Sequence, residues 1–243
     1  MKLYNQNCLD GMKTITNGSI DLILCDLPYG VTNCKWDTVI PFTDLWKEYN
    51  RIIKDSGAIV LFSIQPFTTL LIHSNKSYFR YCWYWVKNNV TGFQFANVQP
   101  MRQIEDICVF YKKKPTYNPQ GIKMVECTKI RKRRKSKADS TIKEEYLLNE
   151  YVQKYTNYPR NILYFDSEHG LHPTQKPVPL LEYLIKTYTN DGETVLDNCF
   201  GSGSTAIACI NTNRHFIGYE LNKTYFDIAK QRVIERQHIK NNI

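Results

Sequence analysis

No two of the eight cysteines form a Cys-x-x-Cys pair, which removes the commonest zinc frameworks. Their scatter over Cys8, Cys25, Cys34, Cys82, Cys108, Cys127, Cys199 and Cys209 is not that of a disulfide scaffold either. No metal is expected. Also lacking is an apolar run long enough to span a bilayer, and the polar opening Met1-Lys2-Leu3-Tyr4-Asn5-Gln6-Asn7 has no signal-peptide core. A cytoplasmic soluble protein is the expectation. Internal repeats and low-complexity tracts are missing, apart from one basic run. Acids are the scarcer charge: 23 Asp and Glu stand against 32 Lys and Arg, a net +9. That excess concentrates polyanions around the chain and makes nucleic acid a leading partner class.

What is present suffices for a full core. With 243 residues, 42% of them hydrophobic, the chain fits one α/β domain carrying an insertion. Ile20–Cys25 is an apolar run ending in Asp26-Leu27-Pro28-Tyr29-Gly30, the pattern of a buried parallel strand entering a loop. A helical stripe runs from Pro41 to Lys54, with Asp55-Ser56-Gly57 as its stop. A strand over Ala58–Ser63, a helix over Pro66–Asn75, and strands over Arg80–Lys87 and Asp106–Lys112 follow. Between Lys113 and Phe165 the alternation fails and the densest charge run occurs: Lys129, Arg131, Lys132, Arg133, Arg134, Lys135 and Lys137. It resumes with a helix over Pro177–Thr189, a strand over Thr194–Asp197, a helix over Ser204–Asn213, a strand over His215–Glu220 and a closing helix from Asn222 to about Gln237.

Asp197-Asn198-Cys199-Phe200-Gly201-Ser202-Gly203-Ser204-Thr205 joins a strand to a helix through glycines that let a ligand approach the backbone. Gly201-x-Gly203-x-x-Ala206 with an acid at Glu220 also satisfies a dinucleotide fingerprint, the carboxylate binding ribose hydroxyls. Three features disfavour NAD. Only one helix follows Glu220. Asp197 precedes the glycines, where its charge suits a cationic or amine-bearing ligand better than a pyrophosphate. Hydride transfer, lastly, has no use for the Asp26 loop. S-adenosylmethionine is the expected ligand, ahead of NAD and of a purely structural glycine turn.

The Asp26 loop suits methylation of a base amino group. Such a nitrogen is a poor nucleophile because its lone pair is delocalised into the ring. A carboxylate accepting one N–H and a main-chain carbonyl accepting the other would localise that pair. Asp26 offers the first, Leu27 or Pro28 the second, and Tyr29 a face for a base that has left the duplex. Alone, the five residues also read as an ordinary strand-to-loop turn.

From about Asn7 to Ile234 the chain resembles the β-class, permuted DNA amino-methyltransferases, whose Asp/Asn/Ser-Pro-Pro-Tyr/Phe motif precedes the cofactor loop. The Asp197, Phe200, Gly201, Gly203 and Thr205 pattern is a near match to that family, and His172-Pro173-Thr174-Gln175-Lys176-Pro177 reproduces a family hexapeptide. One departure is Leu27, which stands where the family has its first proline and costs the loop one rigid φ angle. The resemblance implies a doubly wound, mostly parallel, Rossmann-like sheet, circularly permuted, with a basic target-recognition insertion. It further implies a catalytic half at 1–112, the insertion at 113–165 and a cofactor half at 166–243.

Carried over by position, Glu220 holds the cofactor ribose and Asp10 contacts the adenine. Asp197, Phe200, Gly201, Ser202, Gly203 and Thr205 line the pocket, with His172, Thr174 and Lys176 near the methionine end. Lys129, Arg131, Lys132, Arg133, Arg134 and Lys135 bind phosphates. Double-stranded DNA is the implied partner, and the family allows a homodimer and a cognate restriction endonuclease. The leading Asp26 favours adenine N6; the alternatives are cytosine N4, RNA methylation, or an inactive DNA-binding relative.

Overall fold

The computed structural model describes residues 1–30, 37–132, 150–168 and 175–242. In chain order they form β1 (Lys2–Tyr4), α1 (Cys8–Met12), β2 (Ile20–Asp26), α2 (Phe42–Ile52), β3 (Ile53–Ser63), α3 (Phe67–Ser74), β4 (Phe79–Thr91) and β5 (Arg102–Phe110). After these come β6 (Lys123–Lys132), β7 (Glu150–Thr156), β8 (Ile162–Tyr164), α4 (Val178–Tyr188), β9 (Thr194–Asp197), α5 (Ser204–Asn211), β10 (His215–Tyr219) and α6 (Lys223–Asn241). Among them no helix is long and apolar enough to cross a membrane.

The main sheet has the order β1-β10-β9-β2-β3-β5-β4-β8. Every pairing is parallel except those of β5 with β3 and β4. This is the Rossmann-like, mostly parallel α/β class expected. Strand β2 is central and buried on both faces, which is why its apolar residues run without alternation. Its pleat divides them: Leu22 and Leu24 join α4 and α5 in one core, while Ile23 and Cys25 join α2 and α3 in the other. From β2 the chain moves one way to β3, and from β9 the other way to β10. The crevice beyond the carboxyl ends of β2 and β9 is therefore a topological switch point, where open α/β sheets bind ligands.

Several boundaries differ from the sequence expectation. Helix α2 ends at Ile52, and Asp55-Ser56-Gly57 lies inside β3. A Cβ at Gly57 would stand 2.9 Å from the Asp21 carbonyl oxygen, so the glycine permits close strand packing rather than a helix stop. The β4–β5 hairpin runs beyond its expected ends at Lys87 and Asp106 and is still paired at Thr91 and Arg102. Strands β1 and β8 and helix α1 were not apparent from periodicity.

The chain divides into two compact units, 1–118 with 161–243, and 119–160. The second contains the antiparallel pair β6–β7. Because β8 pairs with β4 in the main sheet, this second unit is narrower than the expected 113–165 insertion.

Candidate active site

Asp26 closes β2, so the strand aims its carboxylate into the crevice. One of its oxygens accepts a hydrogen bond from the Tyr29 hydroxyl and the other from the Lys176 ammonium. Lys176 also lies 3.5 Å from Glu105 on β5, which in turn pairs with Lys87 on β4 at 2.9 Å. Four charges thus alternate in sign, Asp26, Lys176, Glu105 and Lys87, and the Lys176 ammonium stands 5.2 Å from the Phe62 ring centroid.

Burial and the neighbouring charges together set the directions in which these groups titrate. It raises Asp26 above the ordinary carboxylate range, with Lys176 opposing. It raises the Tyr29 phenol well above its usual value, and the Asp26 charge adds to this. Burial alone would depress the Lys176 ammonium, but Asp26 and Glu105 outweigh it and hold the group protonated. Burial would likewise raise Glu105, yet Lys176 and Lys87 hold it below its ordinary value.

Leu27, the departure from the family motif, is buried in the α2/α3-side core. Packing anchors the loop where a second proline ring is missing. The Tyr29 ring lies 5.1 Å from that of Phe67, tilted by 43°. Gly30 turns at φ 69° and donates its N–H to Asp37 at 2.8 Å.

The glycine loop is built around Asp197 and Glu220. Asp197 accepts from the Cys199 N–H at 3.1 Å and from the Thr205 hydroxyl at 2.6 Å, bracketing the loop. Burial pushes its carboxyl up to about 6, against the Thr205 bond. Glu220 accepts from the Gly201 N–H at 2.9 Å and the Asn222 N–H at 2.7 Å. Gly203 has φ 85°, and a Cβ there would stand 2.8 Å from that of Ala229; it packs against α6 and, contrary to expectation, does not itself line the cavity. Arg232 on α6 donates to the Ser202 carbonyl at 2.6 Å. Phe200 packs with Phe216 and Phe226.

One cavity of about 810 Å³ contains both loops: Asp26–Tyr29, Asp197–Ser202, Thr205, Glu220 and Lys176 all line it. Residues separated by more than 170 positions meet because β2 and β9 are neighbours. The size falls within the range for small-molecule sites. Its polar groups suit a nucleoside carrying an amino-acid tail, with an accepting carboxylate at Glu220, backbone close to the surface at Gly201, and the buried Ser204 hydroxyl without a hydrogen-bond partner at the start of α5.

Not every expected residue arrives there. Asp10 does not line the cavity: it sits on the outer face of α1, 71% exposed and paired with Lys13 at 2.9 Å. Asn7, Cys8 and Leu9 line it instead. The three-residue spacing of Asp10 and Lys13 is that of an outward helix pair, a reading the spacing already permitted. Lys176, expected beside the methionine end, is brought to the Asp26 carboxylate. His172, Thr174, Arg133, Arg134 and Lys135 lie outside the described residues. Lys129, Arg131 and Lys132 fall on β6. Nothing in the local sequence singles out Glu105 or Lys87: each has other polar residues beside it in its strand, and only the hairpin register brings them together.

The family model described as "DNA methylase", covering the N6 and N4 types, matches residues 20–231. The chain is 28% identical over 253 residues to the type II methyltransferase M.HpaI of Haemophilus parainfluenzae, covering 96% of this chain and 74% of the relative. It is 27% identical over 256 residues to the DNA adenine methyltransferase YhdJ of Escherichia coli (strain K12), covering 97% and 83%. The fold matches the crystal structure of an M1.HpyAVI–SAM complex with a TM-score of 0.64 at 24% identity, covering 95% and 98% of the two chains. Because the family model spans both the Asp26 loop and the glycine loop, the chain belongs to the N6/N4 DNA methylase family.

Proposed function

We propose that this DNA methyltransferase acts on adenine N6 of a base extruded from double-stranded DNA, with S-adenosylmethionine as methyl donor. The observation that carries the reading is the meeting of Asp26 and the Asp197–Ser202 loop in one cavity at the sheet's switch point. Glu220 holds the ribose hydroxyls; Asp197, Phe200, Gly201, Ser202 and Thr205 line the rest of the pocket. His172 and Thr174 complete its methionine end. When bound, the cofactor supplies a methyl carbon made electrophilic by its sulfonium.

The protein's own part is to make the amino nitrogen a nucleophile. Asp26 accepts one N–H of the base and a main-chain carbonyl of Leu27 or Pro28 the other, drawing the lone pair out of the ring. Each carboxylate oxygen can accept two hydrogen bonds, so Asp26 can add this bond while keeping those from Tyr29 and Lys176. Tyr29 offers its face to the base, with Phe67 behind it. An aspartate at the head of the motif favours adenine; serine is commoner in the cytosine N4 members of the family. The basic segment containing Lys129, Arg131, Lys132, Arg133, Arg134 and Lys135 contacts phosphates as a target-recognition region.

The test is to incubate the protein with methyl-labelled cofactor and unmethylated duplex DNA, then identify the modified nucleoside. N6-methyladenine is expected. N4-methylcytosine would overturn the adenine assignment, and no DNA methylation would overturn the reading. Asp26→Ala should lose about a hundredfold or more in kcat while still binding cofactor. Activity at the wild-type level would remove Asp26 from its role.

A further inference from the structure

Between Asp55 and Glu105 the chain contains no Asp or Glu, and part of that stretch forms the end of the β4–β5 hairpin. Past the last pair, Thr91 and Arg102, Gly92 takes φ 90° and leads into one 3-10 turn, Phe93–Phe95. The tip is folded on itself. The Phe95 N–H donates to the Gly92 carbonyl at 2.9 Å, that of Ala96 to Phe93 at 3.0 Å and that of Val98 to Phe95 at 2.9 Å.

A turn so well bonded could tuck its apolar side chains inward, yet every residue from Phe93 to Pro100 is exposed. Phe93 is 79% and Val98 82% accessible, and Val90, Phe95 and Ile104 beside them are exposed as well. This is a patch rather than a stray residue, and such patches mark interaction surfaces.

Position and chemistry identify the partner. Thr91, Gln94, Arg102 and Ile104 line the same cavity as Asp26, so the knuckle stands at its rim. Gln94, Asn97 and Gln99 place amides on the surface, groups that pair with base edges. Apolar side chains of this kind wedge between base steps. Arg102 is exposed, and the knuckle itself carries no carboxylate to repel a phosphate.

We propose that the Phe93–Val98 knuckle engages the duplex beside the target base, with Phe93 entering the base stack as that base leaves and Arg102 meeting an adjacent phosphate. The inference rests on the reading that this cavity receives a base extruded from duplex DNA. Extrusion opens a gap whose lost stacking opposes the step; a ring in the gap restores stacking and shifts the equilibrium toward the extruded state.

The experiment uses the full chain and a duplex bearing the sequence that the wild-type protein methylates. Phe93→Ala should lower kcat/KM about tenfold or more, with cofactor affinity unchanged, and Phe93→Trp should stay near wild type. With the target base placed opposite an abasic site, extrusion is easier, and the loss in Phe93→Ala should shrink to about threefold or less. Wild-type activity of Phe93→Ala on the matched duplex, or an equal loss on both duplexes, overturns the proposal. So does a variant that turns a dimer into a monomer in sedimentation but keeps its activity on DNA, which would make a second copy the partner. If the wild-type protein methylates no DNA, the proposed function itself fails, an outcome distinct from a failure of the knuckle alone.

Discussion

Asp26 draws on the amino nitrogen most strongly as a carboxylate, the charged form being the stronger acceptor, so the charge placed beside it decides the pH at which the site works. Burial raises Asp26 and Glu105 raises it further, while Lys176 and the Tyr29 hydroxyl act in the other direction. Replacing Lys176 by Met removes the cation that chiefly opposes this rise. The Asp26 carboxyl then climbs higher, a smaller fraction is ionised at a given pH, and the acid limb of kcat/KM moves to higher pH. A displacement of about one pH unit or more is expected for the loss of an adjacent cation; Lys176→Arg should show less. An unchanged limb in Lys176→Met would mean that another group keeps Asp26 ionised. Glu105 is a positioning residue in this scheme, since it touches Lys176 and not the reacting atoms.

At the scale of elements, Gly203 tests whether the cofactor loop needs its backbone shape. Its φ of 85° is strained for any side chain, and an added Cβ would also crowd Ala229 at 2.8 Å. Gly192 has a similar φ, 78°, with nothing within 4 Å. Gly192→Ala should therefore show only the left-handed backbone penalty, of about 1–3 kcal/mol. Gly203→Ala should lower Tm by more than Gly192→Ala does and weaken cofactor binding as well, because α5 must shift away from α6. Equal effects in thermal melts and cofactor titrations would show that the Ala229 contact is easily relieved.

The same scale explains what the sequence could reveal. β2, β9, α4 and α5 carry their own apolar pattern, and the motifs sit at their ends, so Asp26, Asp197 and Glu220 were legible. β1 and β8 have three residues each and exist through their partners β10 and β4. The ion pairs of Lys176 with Asp26, and of Lys87 with Glu105, depend on strand order and register, which no local spacing encodes. Motif position points Asp10 to the cofactor adenine, whereas its helix face directs it to Lys13.

For the molecule as a whole, two distinct surfaces are assigned to DNA, and salt separates them. The net charge of +9 favours binding to any polyanion, and the basic run is its densest part. Each phosphate contact made by that run contributes about 0.9 to the slope of log affinity against log salt. Replacing Arg131, Lys132, Arg133, Arg134 and Lys135 by Gln should therefore flatten the slope and weaken binding to all duplexes alike. The knuckle works differently: Phe93 is uncharged and displaces no counterions. Phe93→Ala should leave the salt slope of DNA binding as it is while lowering methyl transfer. If the slope instead falls in Phe93→Ala, the knuckle supports phosphate contacts rather than the base stack. If the Gln variant keeps the wild-type slope, the basic run does not touch DNA, and the charge that draws this protein to DNA resides elsewhere on its surface.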